Sequence, residues 1–228
     1  MRTMAPSAEA GTAVGIGRPS PRGWVGRAAL GAVALALVAL AYRAPLWTST
    51  LHAPQYPQGL RVIVYGDRVG GDVREVSALN HYVGMKPYDI DAFPEVKLWG
   101  PTILAALAAV GVSQVFDRRW PGRLARLFLW AVPLGVLADI QWRLYVFGHD
   151  LVTDPRPALP LEPFTPWVIG PTRVLNFTNT AVPGRGVLLL FAAAAVLSFG
   201  PGLGRGLRRL AGWLDQPVGA RAGVGEGA

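Results

Sequence analysis

The chain has 228 residues, of which 51% are hydrophobic and only 16% charged, and its mean hydropathy is +0.32. This composition is too apolar and too poor in charge for an ordinary soluble domain, and it predicts a membrane protein. The chain contains no cysteine, which excludes a disulfide scaffold, a thiolate metal site and a thiol nucleophile. Any metal would therefore be bound by His, Met or carboxylate side chains.

Four runs in the sequence are long and apolar enough to cross a bilayer, which takes about 20 residues of helix. After a tail at 1–22 that is predicted to be disordered, we expect transmembrane helices at 23–47, 98–116, 127–147 and 186–204. Two long loops, 48–97 and 148–185, alternate with a short loop at 117–126, and 205–228 is expected to hold an amphipathic helix and a tail. The predicted class is an all-α integral membrane protein with four transmembrane helices, whose long exterior loops form a small mixed cap.

The charge distribution predicts the orientation of these helices. The net charge is +8, and this excess lies in the termini and the short loop, whereas acidic and basic residues balance in the two long loops. Because Lys and Arg are retained on the cytoplasmic side, we predict a multi-pass protein of the plasma or inner membrane with both termini cytoplasmic. The basic character then reflects topology and anionic lipid, and no nucleic acid partner is expected. One alternative is that 28–39 forms the core of a cleaved signal peptide.

Local patterns in the loops predict few regular elements. Residues 60–65 form a β-rich run, and Asp72 with Glu75 has the spacing of a capping box at the start of a helix. Gly84 is suited to end that helix. The second loop is rich in proline between 155 and 171, which favours extended polyproline segments draped over the first loop.

All three histidines of the chain map to the predicted exterior side, and they suggest a metal site there. His81 and Met85 lie four residues apart, His149 and Asp150 follow the third span, and His52 lies just after the first span. Imidazole together with a thioether suits copper, especially Cu(I). The competing interpretation is that aromatic residues of both loops pack into a cap in which the histidines are only hydrogen-bonded.

The third predicted span contains two charged residues. Asp139 and Arg143 lie four residues apart and therefore on one face of a helix. Charges within a membrane segment suggest a functional site, such as an ion or proton relay, but a structural pair facing the bundle interior is the favoured explanation.

Several stretches resemble a group of small multi-span bacterial membrane proteins associated with copper handling and nitrous-oxide-reductase maturation. The resembling segments are 53–60 (APQYPQGL), 71–73 (GDV) with 79–87 (LNHYVGMKP), and 148–150 (GHD) with 162–166 (EPFTP). The resemblance covers both exterior loops and favours His81, Met85 and His149 as site residues, while His52 lies outside it. It implies a genomic context and no defined mechanism.

Three functions are compatible with these patterns. The first is an accessory protein that binds a copper ion at the outer face through His81, Met85 and His149, with Asp150 beside them, and supplies an exported enzyme. The second is a non-catalytic assembly subunit whose exterior loops dock an exported protein or a membrane complex. The third is a small transporter subunit that uses Asp139 and Arg143 and works as an oligomer. An enzyme is the least supported class, because no set of nucleophile, base and orienting residue is visible.

Overall fold

The computed structural model describes residues 21–82, 84–86, 95–117, 119–151 and 162–214. Within these ranges the chain forms helices α1 (Pro21–Ala41), α2 (Val73–Tyr82), α3 (Glu95–Val115), α4 (Trp120–His149) and α5 (Arg185–Leu214). The strands are β1 (Trp47–Ala53), β2 (Tyr56–Val64), β3 (Val69–Gly71), β4 (Gly170–Val174) and β5 (Phe177–Pro183). Residues 1–20 of the predicted tail, the prolines at 155, 157 and 160, and residues 215–228 lie outside the described ranges, whereas residues 21 and 22 of that tail belong to α1.

Helices α1, α3, α4 and α5 form a bundle, and each contains a segment long and apolar enough to cross a membrane. The prediction of four such helices is confirmed. Their shared core is built largely from small and β-branched side chains, which allow close helix packing where lipid supplies no hydrophobic driving force. Its fully buried members are Ala34, Val38, Ala41, Ala106, Val110, Val187, Ala193 and Ala194.

The predicted fourth span and the predicted amphipathic helix after it are one continuous helix, α5, with Pro201 inside it. Near its start, Val187 and Leu190 are buried in the bundle.

The cap contains a five-stranded antiparallel sheet with strand order β3-β2-β1-β5-β4. The all-α class was therefore wrong for the cap. The sequence patterns indicated only one short strand there, at 60–65, whereas the described part of the cap contains five. The second loop also contains a hairpin of β4 and β5 that the sequence patterns did not indicate, in which Thr172 pairs with Asn179. The polyproline prediction for 155–171 falls partly outside the described residues and stays a prediction. Pro171 lies in β4, at the edge of the sheet, where a residue without an N–H is tolerated.

The two faces of the sheet differ in polarity. Trp47, Ser49 and Leu51 of β1 alternate with Thr48, Thr50 and His52, as the two-residue period of a strand requires. The first set faces the bundle and α2, and Trp47 and Ser49 are buried. The second set faces away from the bundle.

Helix α2 packs on the bundle-facing side of the sheet, where Val76 joins Leu60 and Val62 in a small core. Gly84 ends this helix as predicted. Its φ is +78°, its N–H donates to the carbonyl of His81, and the N–H of Met85 donates to the carbonyl of Asn80. These two bonds define a Schellman motif, whose left-handed residue favours glycine.

The sheet is joined to the bundle where β1 follows α1 and β5 precedes α5. The N–H of Gly184 donates to the Leu46 carbonyl at 2.8 Å, and the N–H of Gly186 donates to the Pro45 carbonyl at 2.7 Å. The Leu46 N–H donates in turn to the Val64 carbonyl at 2.8 Å. Both helix-to-strand connections are thus held together by backbone hydrogen bonds.

At the opposite end of the bundle, an acidic side chain joins three segments of the chain. Asp117 follows α3 and accepts hydrogen bonds from Arg27 of α1 at 3.2 Å and from Arg126 of α4 at 3.0 Å. A second Arg126 nitrogen donates to the Asp117 carbonyl at 2.6 Å. This network fixes the turn between α3 and α4 against α1.

Candidate functional site

The residues predicted to bind metal lie around the cap but have different surroundings. His81 is exposed on the last turn of α2, and His52 is exposed on the outward face of the sheet. His149 ends α4, where its ring stacks on Tyr145 with centroids 4.0 Å apart. Its Nδ1 lies 2.9 Å from the Tyr145 carbonyl.

One contact brings two of the predicted segments together. The Lys86 ammonium lies 2.5 Å from a carboxylate oxygen of Asp150 and so connects the residue after Met85 to the residue after His149. The Met85 side chain itself lines a cavity beneath the sheet. Within the described ranges, no group of three or more His, Asp or Glu side chains is placed to hold a metal ion. A mixed site that includes the Met85 thioether stays a prediction.

A larger cavity lies elsewhere, between α3, α4 and the sheet. It has a volume of about 440 Å³, which is within the range of small-molecule sites. We call it the lateral cavity, because it opens at the side of the bundle, where Leu98 is 60% exposed and Phe128 is 38% exposed.

One face of α4 forms the long wall of the lateral cavity. Residues at helical spacing line it: Phe128, Ala131, Val132, Gly135, Val136, Asp139, Ile140, Arg143, Leu144 and Phe147. At 1.5 Å per residue this stripe extends over about 28 Å, nearly the thickness of the hydrocarbon core of a bilayer. The opposite wall is formed by the first turns of α3, including Trp99 and Thr102.

The charged residues of the lateral cavity lie toward the sheet. Asp139 and Arg143 are half-buried, and both interact with other groups of the chain. The third charged residue is Arg68, in the turn between β2 and β3. Its guanidinium is 2.9 Å from Asp67 and lies 4.1 Å over the centre of the Tyr65 ring.

The lining therefore changes from purely apolar, around Phe128 and Val132, to partly charged beneath the sheet. At the level of this change, the side chains of Trp47 and Trp99 are positioned by hydrogen bonds of their indole N–H groups. The Trp47 Nε1 donates to the Val168 carbonyl at 2.7 Å, and the Trp99 Nε1 donates to the Tyr42 carbonyl at 3.1 Å. Both rings are at least 95% buried. The arrangement can accommodate a molecule with an apolar body and a polar end.

Sequence reasoning identified Asp139 and Arg143 but neither the cavity nor Arg68. The two charges stand out because they interrupt an apolar run, whereas Arg68 is one of many loop arginines. Its position depends on the pairing of β2 with β3, for which the only local signals are the glycines at 66, 70 and 71.

Comparisons with known proteins provide no further assignment, since no protein-family model, curated protein or solved structure matches the chain.

Proposed function

We propose that the protein binds a membrane amphiphile with an anionic headgroup in the lateral cavity. The single observation that carries this proposal is the graded lining of the cavity, which is apolar along the middle of α4 and contains two arginines, Arg143 and Arg68, and one acid, Asp139, beneath the sheet. An acyl or isoprenoid chain would lie along the stripe from Phe128 to Val136. The headgroup would then reach the level at which the bundle meets the sheet.

Arginine suits this role because its planar guanidinium can donate two parallel hydrogen bonds to a phosphate or carboxylate. Arg68 is already oriented by Asp67 and Tyr65, so little side-chain freedom would be lost on binding. Arg143 lies one helical turn closer to the sheet than Asp139, and the positive charge is thus nearer the level of lipid headgroups.

The orientation predicted from charge would place this site in the outer leaflet. The basic termini and the short loop would be cytoplasmic, and the sheet would face the exterior. In that position the protein would act as a lipid-binding accessory subunit in the plasma or inner membrane. This function also gives Arg143 a role that needs no transport pathway.

The headgroup part of the proposal is tested by native mass spectrometry of the protein from nanodiscs containing phosphatidylglycerol or phosphatidylcholine. We expect phosphatidylglycerol to be retained preferentially, and we expect Arg143→Gln to weaken its binding by about ten-fold, the loss typical of a hydrogen bond to a charged group. Arg173→Gln is the matched control, because Arg173 is exposed on β4 outside the cavity. Equal lipid binding by both variants would refute the proposal.

The tail part is tested by filling the cavity. Gly135 lines it, and a Cβ at this position would meet no atom within 4 Å. Gly135→Leu should therefore fold and exclude the lipid tail. Gly111→Leu places the same side chain on α3, also in open space and away from the cavity lining. If both variants bind phosphatidylglycerol as the wild type does, the lateral cavity is not the lipid site.

Copper binding is a second proposal, favoured by the Lys86–Asp150 contact, which brings the segments of Met85 and His149 together. It is tested by loading the purified protein with Cu(I) without oxygen and measuring metal content after desalting. Stoichiometric copper that is lost in a His81→Ala/His149→Ala double variant would support an accessory role in metal supply. Equal, substoichiometric copper in both proteins would exclude it.

A further inference from the structure

A second cavity lies within the cap, separate from the site of the proposed function. It has a volume of about 100 Å³ and is bounded by the bundle-facing side of the sheet, α2, the end of α4, Phe164 and Pro166. We call it the cap cavity. Leu144 and Phe147 of α4 line both cavities and form the wall between them.

Among the described residues, the lining of the cap cavity is apolar apart from a few uncharged polar groups. Apolar side chains such as Val76, Met85, Phe164 and Phe177 form most of it, and none of the described residues that line it is charged. An ionised ligand would meet no counter-charge among these residues, so its desolvation would be uncompensated. The cavity is therefore suited to an uncharged molecule.

One polar side chain of this lining has an unsatisfied hydrogen-bond donor. Asn80 lies in the last turn of α2, is only 7% exposed, and its Nδ2 has no hydrogen-bond partner within the described part of the chain. On the facing strands, the Ser49 hydroxyl donates to the Asn179 side-chain oxygen, so these two groups satisfy each other. A buried donor without an acceptor is costly, and proteins rarely keep one without a partner.

We infer that the cap cavity is a binding site for a small, uncharged molecule with one hydrogen-bond acceptor, which the Asn80 amide would bind. A cavity of about 150 Å³ holds benzene, so 100 Å³ suits about four or five non-hydrogen atoms. Short ketones, esters and amides have this size and this single strong acceptor. The apolar remainder of such a molecule would contact Met85 and the phenylalanines.

Met85 provides a reporter for the test. The chain has three methionines, and the other two are at positions 1 and 4, so methyl-labelled methionine gives a spectrum in which Met85 is readily assigned. The probes are butanone and 2-methyl-1-butene, which have the same shape. The carbonyl oxygen of butanone is replaced in the alkene by a methylene group, which cannot accept a strong hydrogen bond. We expect butanone to shift the Met85 methyl signal in a saturable manner and to bind about five-fold more tightly than the alkene.

Asn80→Leu removes the donor with little change in volume. It should reduce butanone affinity about five-fold and abolish the difference between the two probes. Asn176→Leu is the matched control, because Asn176 is exposed in the turn between β4 and β5 and should leave both affinities unchanged. Failure of butanone to bind would mean that the cavity holds only water and would overturn the inference. Equal binding of both probes in wild type and Asn80→Leu would also overturn it, since the cavity would then be merely apolar.

These outcomes are independent of lipid binding. A wild-type protein that retains phosphatidylglycerol but does not bind butanone would disprove the cap site alone. A wild-type protein that binds butanone but does not retain phosphatidylglycerol would disprove the lateral site alone.

Discussion

Replacing Gly184 by alanine would place a methyl group in the connection between β5 and α5, where the backbone of another segment leaves no space. A Cβ at this position would lie 2.2 Å from the carbonyl oxygen of Pro45, 2.6 Å from the carbonyl carbon of Pro45 and 2.7 Å from the carbonyl carbon of Leu46. All three atoms belong to the backbone, so no side-chain rotation can relieve the overlap. The two connections must therefore move apart.

The cost follows from the contacts that this movement disturbs. Two backbone hydrogen bonds cross the junction, from Gly184 to Leu46 and from Gly186 to Pro45. Each contributes about 0.5–1.5 kcal/mol, and overpacking a close-packed site costs about 1–3 kcal/mol. We expect the free energy of unfolding to fall by about 2–4 kcal/mol, with the sheet and the α1–α5 packing affected together.

The measurement is reversible unfolding in mixed detergent micelles, followed by circular dichroism and by the fluorescence of the eight tryptophans. Gly111→Ala is the matched control, because its Cβ would meet no atom within 4 Å inside α3. Alanine there should leave stability unchanged or raise it by up to about 1 kcal/mol. If Gly184→Ala is as stable as Gly111→Ala, the close approach at the junction does not hold the sheet to the bundle.

Three further predictions concern the far end, the sheet and the topology. Asp117→Asn should lower the free energy of unfolding by about 1 kcal/mol at low salt and by less at high salt, because its ion pairs are partly exposed; a cost that does not change with salt would contradict an ionic origin. Trp47→Phe should cost about 1–3 kcal/mol in the same unfolding assay, since the partly buried Val168 carbonyl loses its donor; unchanged stability would show that this hydrogen bond is dispensable. Because the chain has no cysteine, Thr180→Cys and Arg123→Cys each introduce a single thiol. Thr180 lies on the sheet, which is predicted to be exterior, and Arg123 lies in the region 117–126, which is predicted to be cytoplasmic, so an impermeant maleimide applied to whole cells should modify only the first. Labelling of Arg123→Cys alone would contradict the predicted orientation.

The helices could be predicted from the sequence because their signals are local. A run of uncharged residues long enough to cross a bilayer is visible within a short window, and the start and end signals of α2, Asp72 with Glu75 and Gly84, are likewise short-range patterns. The sheet lacked such a signal. In β1 the inward positions include the polar Ser49, so alternation of apolar and polar residues is weak, and β1 resembles a polar loop.

The pairing of the strands depends on residues far apart in the chain. Thr50 pairs with Thr180, and Ser49 reaches its hydrogen-bond partner Asn179 across 130 positions. For the same reason the sequence revealed the charges of the lateral cavity but not the cavity. Arg143 was conspicuous within α4, whereas its neighbours in the cavity lining come from α3 and from the turn before β3.

The order of the strands also has a consequence for the synthesis of the protein. β1 lies at the centre of the sheet, yet its neighbour β5 is the last strand to leave the ribosome. Until then β1 can pair only with β2, and its other edge exposes unpaired N–H and C=O groups. Helix α5, which packs against α1, emerges still later. The nascent protein therefore has an open strand edge and an incomplete bundle at the same time, and a chain that stops after α4 would leave both open to wrong partners.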